Sequence, residues 1–152
     1  MSQSHGEVQI FVCSARRAAL ERDAVEIAIQ KLLAISCFVI GLSHMVQPRA
    51  WAQLFIGWRD KGTVGVFYTG LLHFAFGVVI VAFHNVWRGL PLLVTILGWA
   101  WTMKGLLYLC FPSIGRKSLS RVSLDRAHEF VIAGAVLLLI ALVIGWHLFT
   151  RG

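Results

Sequence analysis

The sequence has few charged residues, and acidic residues are the rarest of them. Only 14% of the 152 residues are Asp, Glu, Lys or Arg, and seven of these are acidic. Soluble domains carry about 25% charged residues, so this composition excludes an ordinary water-soluble globule. Disorder is excluded as well, because 58% of the residues are hydrophobic. We therefore expect a chain that is surrounded by lipid.

Cysteine and proline are also scarce, with three residues of each. Cys13, Cys37 and Cys110 form no Cys-x-x-Cys pair, and an odd number is not typical of a disulfide framework. The sequence contains no His-Glu-x-x-His motif, no spacing typical of His and Cys metal ligands and no glycine-rich phosphate loop. We expect no secretory signal at the polar N-terminus, no catalytic centre and no metal site.

Four long apolar segments cover residues 32–47, 64–84, 90–111 and 130–149. About 20 helical residues cross the ~30 Å hydrocarbon core of a bilayer. Backbone polar groups find no water there, so the crossing segments must be helices. The first segment is short, and we expect its helix to start in the amphipathic stretch 18–30 and to stop before Pro48. The prediction is an all-α bundle of four transmembrane helices.

The N-terminal part differs in composition from the rest, which predicts two units. Residues 1–30 form a polar unit, with a frayed tail over residues 1–14 and a charged surface helix over residues 15–30 that leads into the first span. Residues 31–152 form the transmembrane domain. The expected location is the cell (inner) membrane, with several crossings.

The connection after the first span has its own pattern. Its aromatic and apolar residues recur at helical spacing beside basic residues: Trp51, Leu54, Phe55 and Trp58. This predicts an amphipathic interfacial helix that is anchored at the lipid headgroups by Trp51, Phe55 and Trp58. The second connection, residues 85–89, is short. The third, residues 113–127, is expected to be a Ser-rich basic loop.

The net charge of +7 does not indicate a nucleic-acid surface, because the basic residues are spread between apolar segments. Four crossings place both termini on one side, together with Arg16, Arg17, Arg22, Lys31, Arg88 and Arg151. The opposite side carries Arg49, Arg59, Lys61, Arg116, Lys117, Arg121 and Arg126. The two sets are nearly equal in number, so the positive-inside rule gives no orientation.

Polar residues within the spans concentrate toward the end that carries the first and third connections. Ionisable groups in a bilayer are costly and mark functional positions, and neighbouring glycines let helices approach closely. We therefore predict an inward-facing ligand pocket that opens to this end. Its predicted lining residues are His44, Tyr68, His73, Lys104, Tyr108 and Glu129.

Several of these residues have structural alternatives. Lys104 could extend to the headgroups beside Tyr108, and His73 could donate a hydrogen bond to Thr69 or to a backbone carbonyl. At the other end of the bundle, His84 and His147 are a conceivable pair of haem ligands. Interfacial histidines are common, however, so we do not expect a haem.

Two short motifs resemble a known family. Residues 41–48 read GLSHMVQP and residues 69–73 read TGLLH. They resemble the DoxX-like group of small four-helix membrane proteins, whose first helix often ends G-x-x-H-F-x-x-P and whose second often carries S-G-x-x-E. The resemblance implies the four-helix fold over residues 30–150 and inward-facing polar sites at His44 and His73. In this chain His73 replaces the usual acid. The resemblance also implies a link to quinone-coupled oxidation or to thiol stress systems.

The sequence thus predicts a multi-pass membrane protein that acts as an accessory or redox-associated subunit, binding a quinone or a protein partner without catalysis of its own. Two alternatives stay open: a small transporter that works as a homodimer, and a structural scaffold in which Lys104 pairs with Glu129. The expected partners are the lipid bilayer and either a membrane redox complex or further copies of the chain.

Overall fold

The computed structural model describes residues 3–151, and this range contains no β-strand. Its helices are α1 (Gln3–Val46), α2 (Pro48–Asp60), α3 (Thr63–Phe83), α4 (Leu92–Cys110), α5 (Pro112–Leu119) and α6 (His128–Arg151), with a 3-10 turn at Leu124–Arg126. Within the described range, four helices are long and apolar enough to cross a membrane: α1, α3, α4 and α6. The predicted all-α chain with four candidate spans is confirmed.

Helix α1 is longer than predicted. It is a single helix of 44 residues, about 66 Å long at 1.5 Å per residue. Residues 3–14, expected to be frayed, are helical and continue without a break into the span; residues 1 and 2 lie outside the described range. Helix formers such as Ala, Arg and Glu are frequent here, and no Pro or Gly interrupts the chain between residues 7 and 40.

Two prolines separate the spans from short helices. Pro48 follows the end of α1 and occupies the first turn of α2, and Pro112 does the same between α4 and α5. Proline disfavours helical geometry at the preceding residue but fits the first position of a new helix. The predicted loop at residues 113–127 is therefore wrong in part, because it contains most of α5 and the 3-10 turn.

The spans pack as two antiparallel pairs, α1 with α6 and α3 with α4. Glycines permit the close contact. A Cβ atom added to Gly41 would lie 2.8 Å from the carbonyl oxygen of Gly134, and one added to Gly77 would lie 2.3 Å from the amide nitrogen of Thr102. Such close backbone approach supplies the van der Waals contact that holds helices together in lipid.

Apolar side chains fill the space between the two pairs in the half nearer the termini. This core contains Ile29, Leu33 and Cys37 from α1, Ile80 from α3, Val94 from α4, and Ala141 and Ile144 from α6. The backbones of the two helix pairs come close to each other at few positions. Much of the outer surface of the four spans is apolar and exposed, as expected for helices that contact lipid.

Candidate functional site

The structure distributes the six predicted ligand-binding residues over four places. His44 lies where α1, α2 and α6 meet. His73, Lys104 and Tyr108 lie on the α3–α4 pair, Tyr68 lies on the exposed surface of α3, and Glu129 lies in the first turn of α6. Residues of similar depth along the helices are thus not gathered into one network of contacts.

His44 is 8% exposed and takes part in aromatic packing. Its ring stacks on Trp51 with 4.0 Å between ring centroids and on Phe130 with 5.7 Å. Phe55 stacks on Phe130 in turn, at 5.6 Å. The imidazole Nδ1 donates a hydrogen bond to the carbonyl of Ile40, at 2.8 Å. These four rings, called the aromatic stack below, attach α2 to α1 and α6.

The predicted aromatic anchors on α2 therefore contact protein. Trp51, Phe55 and Trp58 are all half-buried. Trp58 meets the Phe55 ring edge-on, with 5.2 Å between centroids. The indole Nε1 of Trp51 donates a hydrogen bond to the hydroxyl of Ser43, at 3.0 Å. One face of α2 thus packs against the ends of the spans.

His73, Lys104 and Tyr108 lie on neighbouring helices. His73 is half-buried, and its Nδ1 donates to the carbonyl of Thr69 at 2.7 Å, so the alternative of a hydrogen-bonded core histidine is confirmed. Lys104 Nζ lies 5.7 Å from the centroid of the Tyr108 ring. It also lies near enough to His73 for its charge to act on the imidazole.

Lys104 was predicted to face the interior, and this is wrong: it is exposed, whereas Tyr108 is 6% exposed. The buried stripe of α4 contains Gly98, Gly105 and Tyr108, because the glycines admit the backbone of α3. Successive side chains of a helix point about 100° apart around its axis. Lys104 directly precedes Gly105, so its side chain lies at the edge of the buried stripe and not within it. The ammonium is therefore accessible at the outer surface of the α3–α4 pair.

The remaining two predicted residues lie apart from these groups. Tyr68 is 53% exposed, and Lys61 Nζ lies 6.0 Å above its ring. Glu129 pairs with Arg126, with 2.6 Å between Oε1 and Nη2. The Lys104–Glu129 pair that the scaffold alternative required does not form in the described residues. The Glu129 carboxylate pairs instead with Arg126, which lies three positions earlier in the sequence.

A buried hydrogen-bond network that the sequence analysis missed lies at the opposite end of the bundle. His84, which directly follows α3, is fully buried; so is Thr95 of α4, and Gln30 of α1 is 4% exposed. Gln30 Nε2 lies 3.1 Å from His84 Nε2, and Thr95 Oγ1 lies 3.3 Å from His84 Nδ1. These three side chains, called the clamp below, connect one helix pair to the other.

The clamp satisfies its polar atoms when His84 is neutral. The Gln30 amide donates to Nε2, and Nδ1–H donates to the hydroxyl of Thr95. That hydroxyl donates to the carbonyl of Val86 at 2.8 Å and accepts from the amide of Val86 at 3.0 Å. Burial lowers the pKa of His84, and the nearby Glu26 carboxylate opposes this effect only in part. Because the buried polar atoms of this network have hydrogen-bond partners, the network favours a single arrangement of the three side chains.

The clamp was missed because its members look unremarkable in the sequence. Gln30 ends the charged N-terminal stretch, and Thr95 is a single hydroxyl in an apolar segment. The available signal was their common depth, because Gln30, His84 and Thr95 all lie near the same end of their spans. Both ring nitrogens of His84 are hydrogen-bonded, which disfavours it as a haem ligand. The described residues contain no group of three His, Cys, Asp or Glu side chains that could hold a metal ion.

Two open grooves of about 520 Å³ each lie elsewhere on the surface. The first lies between the outer part of α1 and the end of α3 and is lined by Glu21, Arg22, Val25, Glu26, Phe83 and Asn85, among others. The second is apolar and lies between α1 and α6, with Phe38, Leu142 and Trp146 in its walls. Neither groove contains any of the six predicted residues.

Comparison with other proteins adds no family to this description. No family model, no curated protein and no solved structure matches the chain.

Proposed function

We propose that this four-span protein holds the polar head of a small amphipathic molecule, such as a quinone, against the outer face of α3 and α4. In this proposal it is an accessory or redox-associated subunit in the cell membrane and has no catalytic centre. The observation that carries the proposal is Lys104, a cation within a span that has no acidic partner among the described residues. Such a charge in lipid marks a functional position.

The depth and neighbours of Lys104 suit a head group that carries oxygen atoms. Lys104 lies six residues before the end of α4, about 9 Å along the helix axis. Its ammonium can donate to a carbonyl oxygen. Because His73 Nδ1 donates to Thr69, Nε2 of the neutral ring is an acceptor and suits a hydroxyl group. A donor beside an acceptor fits both the oxidised and the reduced form of a quinone.

The proposed ligand enters from the bilayer and not through an enclosed pocket. Lys104 is exposed, and both helices of the pair also carry exposed apolar side chains, among them Leu72 and Phe76 on α3 and Met103 and Leu107 on α4. An apolar wall with few polar groups is the usual composition of a site for such molecules. The ring of Tyr108 also stabilises the ammonium by a cation–π contact.

We keep the DoxX-like relationship as part of the proposal. It is supported by the burial of His44 and Thr69, which are 8% and 2% exposed, by Gly41 one helical turn before His44, and by Gly70 directly after Thr69. The homodimeric transporter and the scaffold have no comparable support. The scaffold depended on a Lys104–Glu129 pair, and Glu129 contacts Arg126 instead.

The proposal is tested by binding of a short-chain ubiquinone analogue to the protein in lipid nanodiscs. Quenching of tryptophan fluorescence reports binding, because Trp101 lies one turn from Lys104 on α4. A hydrogen bond from a charged donor contributes about 1.5–3 kcal/mol, so Lys104→Met should weaken binding roughly tenfold or more. His73→Leu should weaken binding of the reduced analogue more than that of the oxidised one.

Lys61→Met is the matched control. Lys61 also lies over a tyrosine ring, at 6.0 Å compared with 5.7 Å for Lys104, but it precedes α3 and lies outside the spans. We expect this variant to bind the analogue as the wild type does. Equal affinity in the wild type and in both lysine variants, or no binding by the wild type, would reject the proposal.

A further inference from the structure

The first and third spans end in the same way and build one structure together. After α1, one residue and Pro48 lead into α2; after α4, one residue and Pro112 lead into α5. The two short helices contact each other, and both contact α3. We call α2 and α5, with the residues that directly follow them, the platform. It lies at the end of the bundle opposite the clamp.

Most basic residues of the platform have no acidic partner. Arg59 pairs with Asp60 at 3.0 Å, and Arg126, further along, pairs with Glu129. Five basic residues of the platform have no ion pair within the described part of the chain: Arg49, Lys61, Arg116, Lys117 and Arg121. Asp125 is the one acid at this end that has no ion pair in the described residues. The platform therefore carries a concentrated positive charge.

Hydrogen bonds hold two of the guanidinium groups in place. Arg59 Nη1 donates to the carbonyl of Val122 at 3.2 Å, which ties α2 to the segment after α5. Arg116 Nη1 donates to the hydroxyl of Thr63 at 3.3 Å, which ties α5 to the start of α3. The positive charge is thus fixed to the ends of the spans, at the level where lipid headgroups lie.

The opposite end of the bundle has a similar number of basic residues, but more acidic residues accompany them. On α1, the basic residues Arg16, Arg17 and Arg22 alternate with the acids Glu21, Asp23 and Glu26. Arg17 pairs with Glu21 at 3.4 Å. Arg16 and Arg17 also lie about 20 Å along the helix from Gln30 of the clamp, at 1.5 Å per residue. Lys31 and Arg88 lie at this end as well, without an ion pair in the described residues. By sequence this end has six basic and four acidic residues, whereas the platform end has seven basic and three acidic residues, so the excess of positive charge is larger at the platform.

From this contrast we infer that the platform binds the anionic phosphate head groups of phospholipids in the leaflet at its end. Exposed apolar side chains beside the basic residues insert into the same leaflet: Leu54, Phe111 and Ile114. The cytoplasmic leaflet is the one rich in anionic lipids. The platform thus faces the cytoplasm, and both termini lie on the other side of the membrane.

Lipid selectivity tests the binding surface. Spin-labelled phosphatidylglycerol and phosphatidylcholine are compared for association with the protein in mixed vesicles. The wild type should favour phosphatidylglycerol, and 0.5 M NaCl should weaken the preference through screening. Each basic residue near the surface changes anionic lipid binding by roughly fivefold, so Lys117→Gln with Arg121→Gln should remove most of the preference. The matched control, Arg16→Gln with Arg17→Gln, should retain it. Equal preference in both double variants would overturn the inference.

Native cysteines test the orientation. Cys13 is exposed on the outer part of α1, Cys37 is buried, and Cys110 ends a span. In a Cys110→Ser variant, a membrane-impermeant maleimide added to intact cells should label Cys13. A second variant, with Cys13→Ser, Cys110→Ser and Ser120→Cys, carries its reactive cysteine on the platform and should be labelled only after permeabilisation. The reverse pattern would overturn the assigned orientation.

Discussion

The two ends of the bundle satisfy their polar side chains in different ways. At the clamp, Gln30, His84 and Thr95 come from three parts of the chain and bond to one another. Away from the clamp, the imidazoles of His44, near the end of α1, and His73, in the middle of α3, donate to carbonyls four residues earlier in their own helices. The hydrogen bonds of the clamp connect different helices, whereas the hydrogen bonds of these two imidazoles each stay within one helix.

This difference shows why polar residues of equal depth do not by themselves indicate a shared site. A histidine in a helix can bond to the backbone of the preceding turn and then needs no partner on another helix. The glutamine and the histidine of the clamp have no such local bond and depend on tertiary contacts. Removing a member should therefore cost more at the clamp than at the other end.

The largest effect is expected from His84→Leu compared with His44→Leu. The first substitution leaves the buried amide of Gln30 without its partner, which should lower the free energy of unfolding by about 2–3 kcal/mol. The second frees one helix carbonyl that already accepts a backbone bond and removes one ring from the aromatic stack, so it should cost less, about 1 kcal/mol. Unfolding in mixed detergent micelles measures both. Equal losses would abolish the distinction between the two ends.

The second effect is a pH dependence that arises at the clamp. Burial lowers the pKa of His84 below its ordinary value of 6.5, so above about pH 6.5 the folded and unfolded states both hold it neutral. As the pH falls below 6.5, the unfolded state takes up the proton first. Stability should then fall by up to about 1.4 kcal/mol per pH unit, until the lower pKa of the folded state is reached.

This dependence is checked by unfolding the protein at pH 8 and pH 5 beside His84→Gln, which cannot titrate at this position. The slope that His84 contributes should disappear in the variant. If the wild type and His84→Gln lose the same stability at pH 5, other groups cause the change and the clamp does not titrate as described.

The smallest effect is expected from Trp51→Phe in the aromatic stack. The substitution keeps an aromatic ring beside His44 but removes the Nε1–H that donates to Ser43 at 3.0 Å. Because the site is only half-buried, water can replace part of this bond, and the loss should be about 1 kcal/mol. Ser43→Ala should cost a similar amount, and the double variant should cost little more than either. Additive losses would show that the two side chains act independently.

The span positions could be predicted because their determinants are local. The predicted second span, residues 64–84, and the observed α3, Thr63–Phe83, differ by one residue at each end. The inward position predicted for His44 agrees with its burial, because the residue is 8% exposed. The inward position predicted for Lys104 does not agree with the structure. Gly98 and Gly105 form the contact face of α4, and Lys104 lies beside that face.

The remaining features depend on contacts between distant residues. Gln30 and His84 are 54 positions apart, and no periodicity in either segment connects them. The aromatic stack likewise needs α2 to fold back between the ends of α1 and α6.

The sequence by itself determined that this chain has four helices long and apolar enough to cross a membrane, and that α1 and α4 end just before Pro48 and Pro112. Hydropathy, helix propensity and the prolines act within a few residues of each position, so the chain order is sufficient to specify them. Only the tertiary structure decided which polar groups meet, that Lys104 lies exposed beside the α3–α4 contact and that Gln30, His84 and Thr95 join the two helix pairs. Those properties depend on distances across helices, which a one-dimensional pattern does not contain.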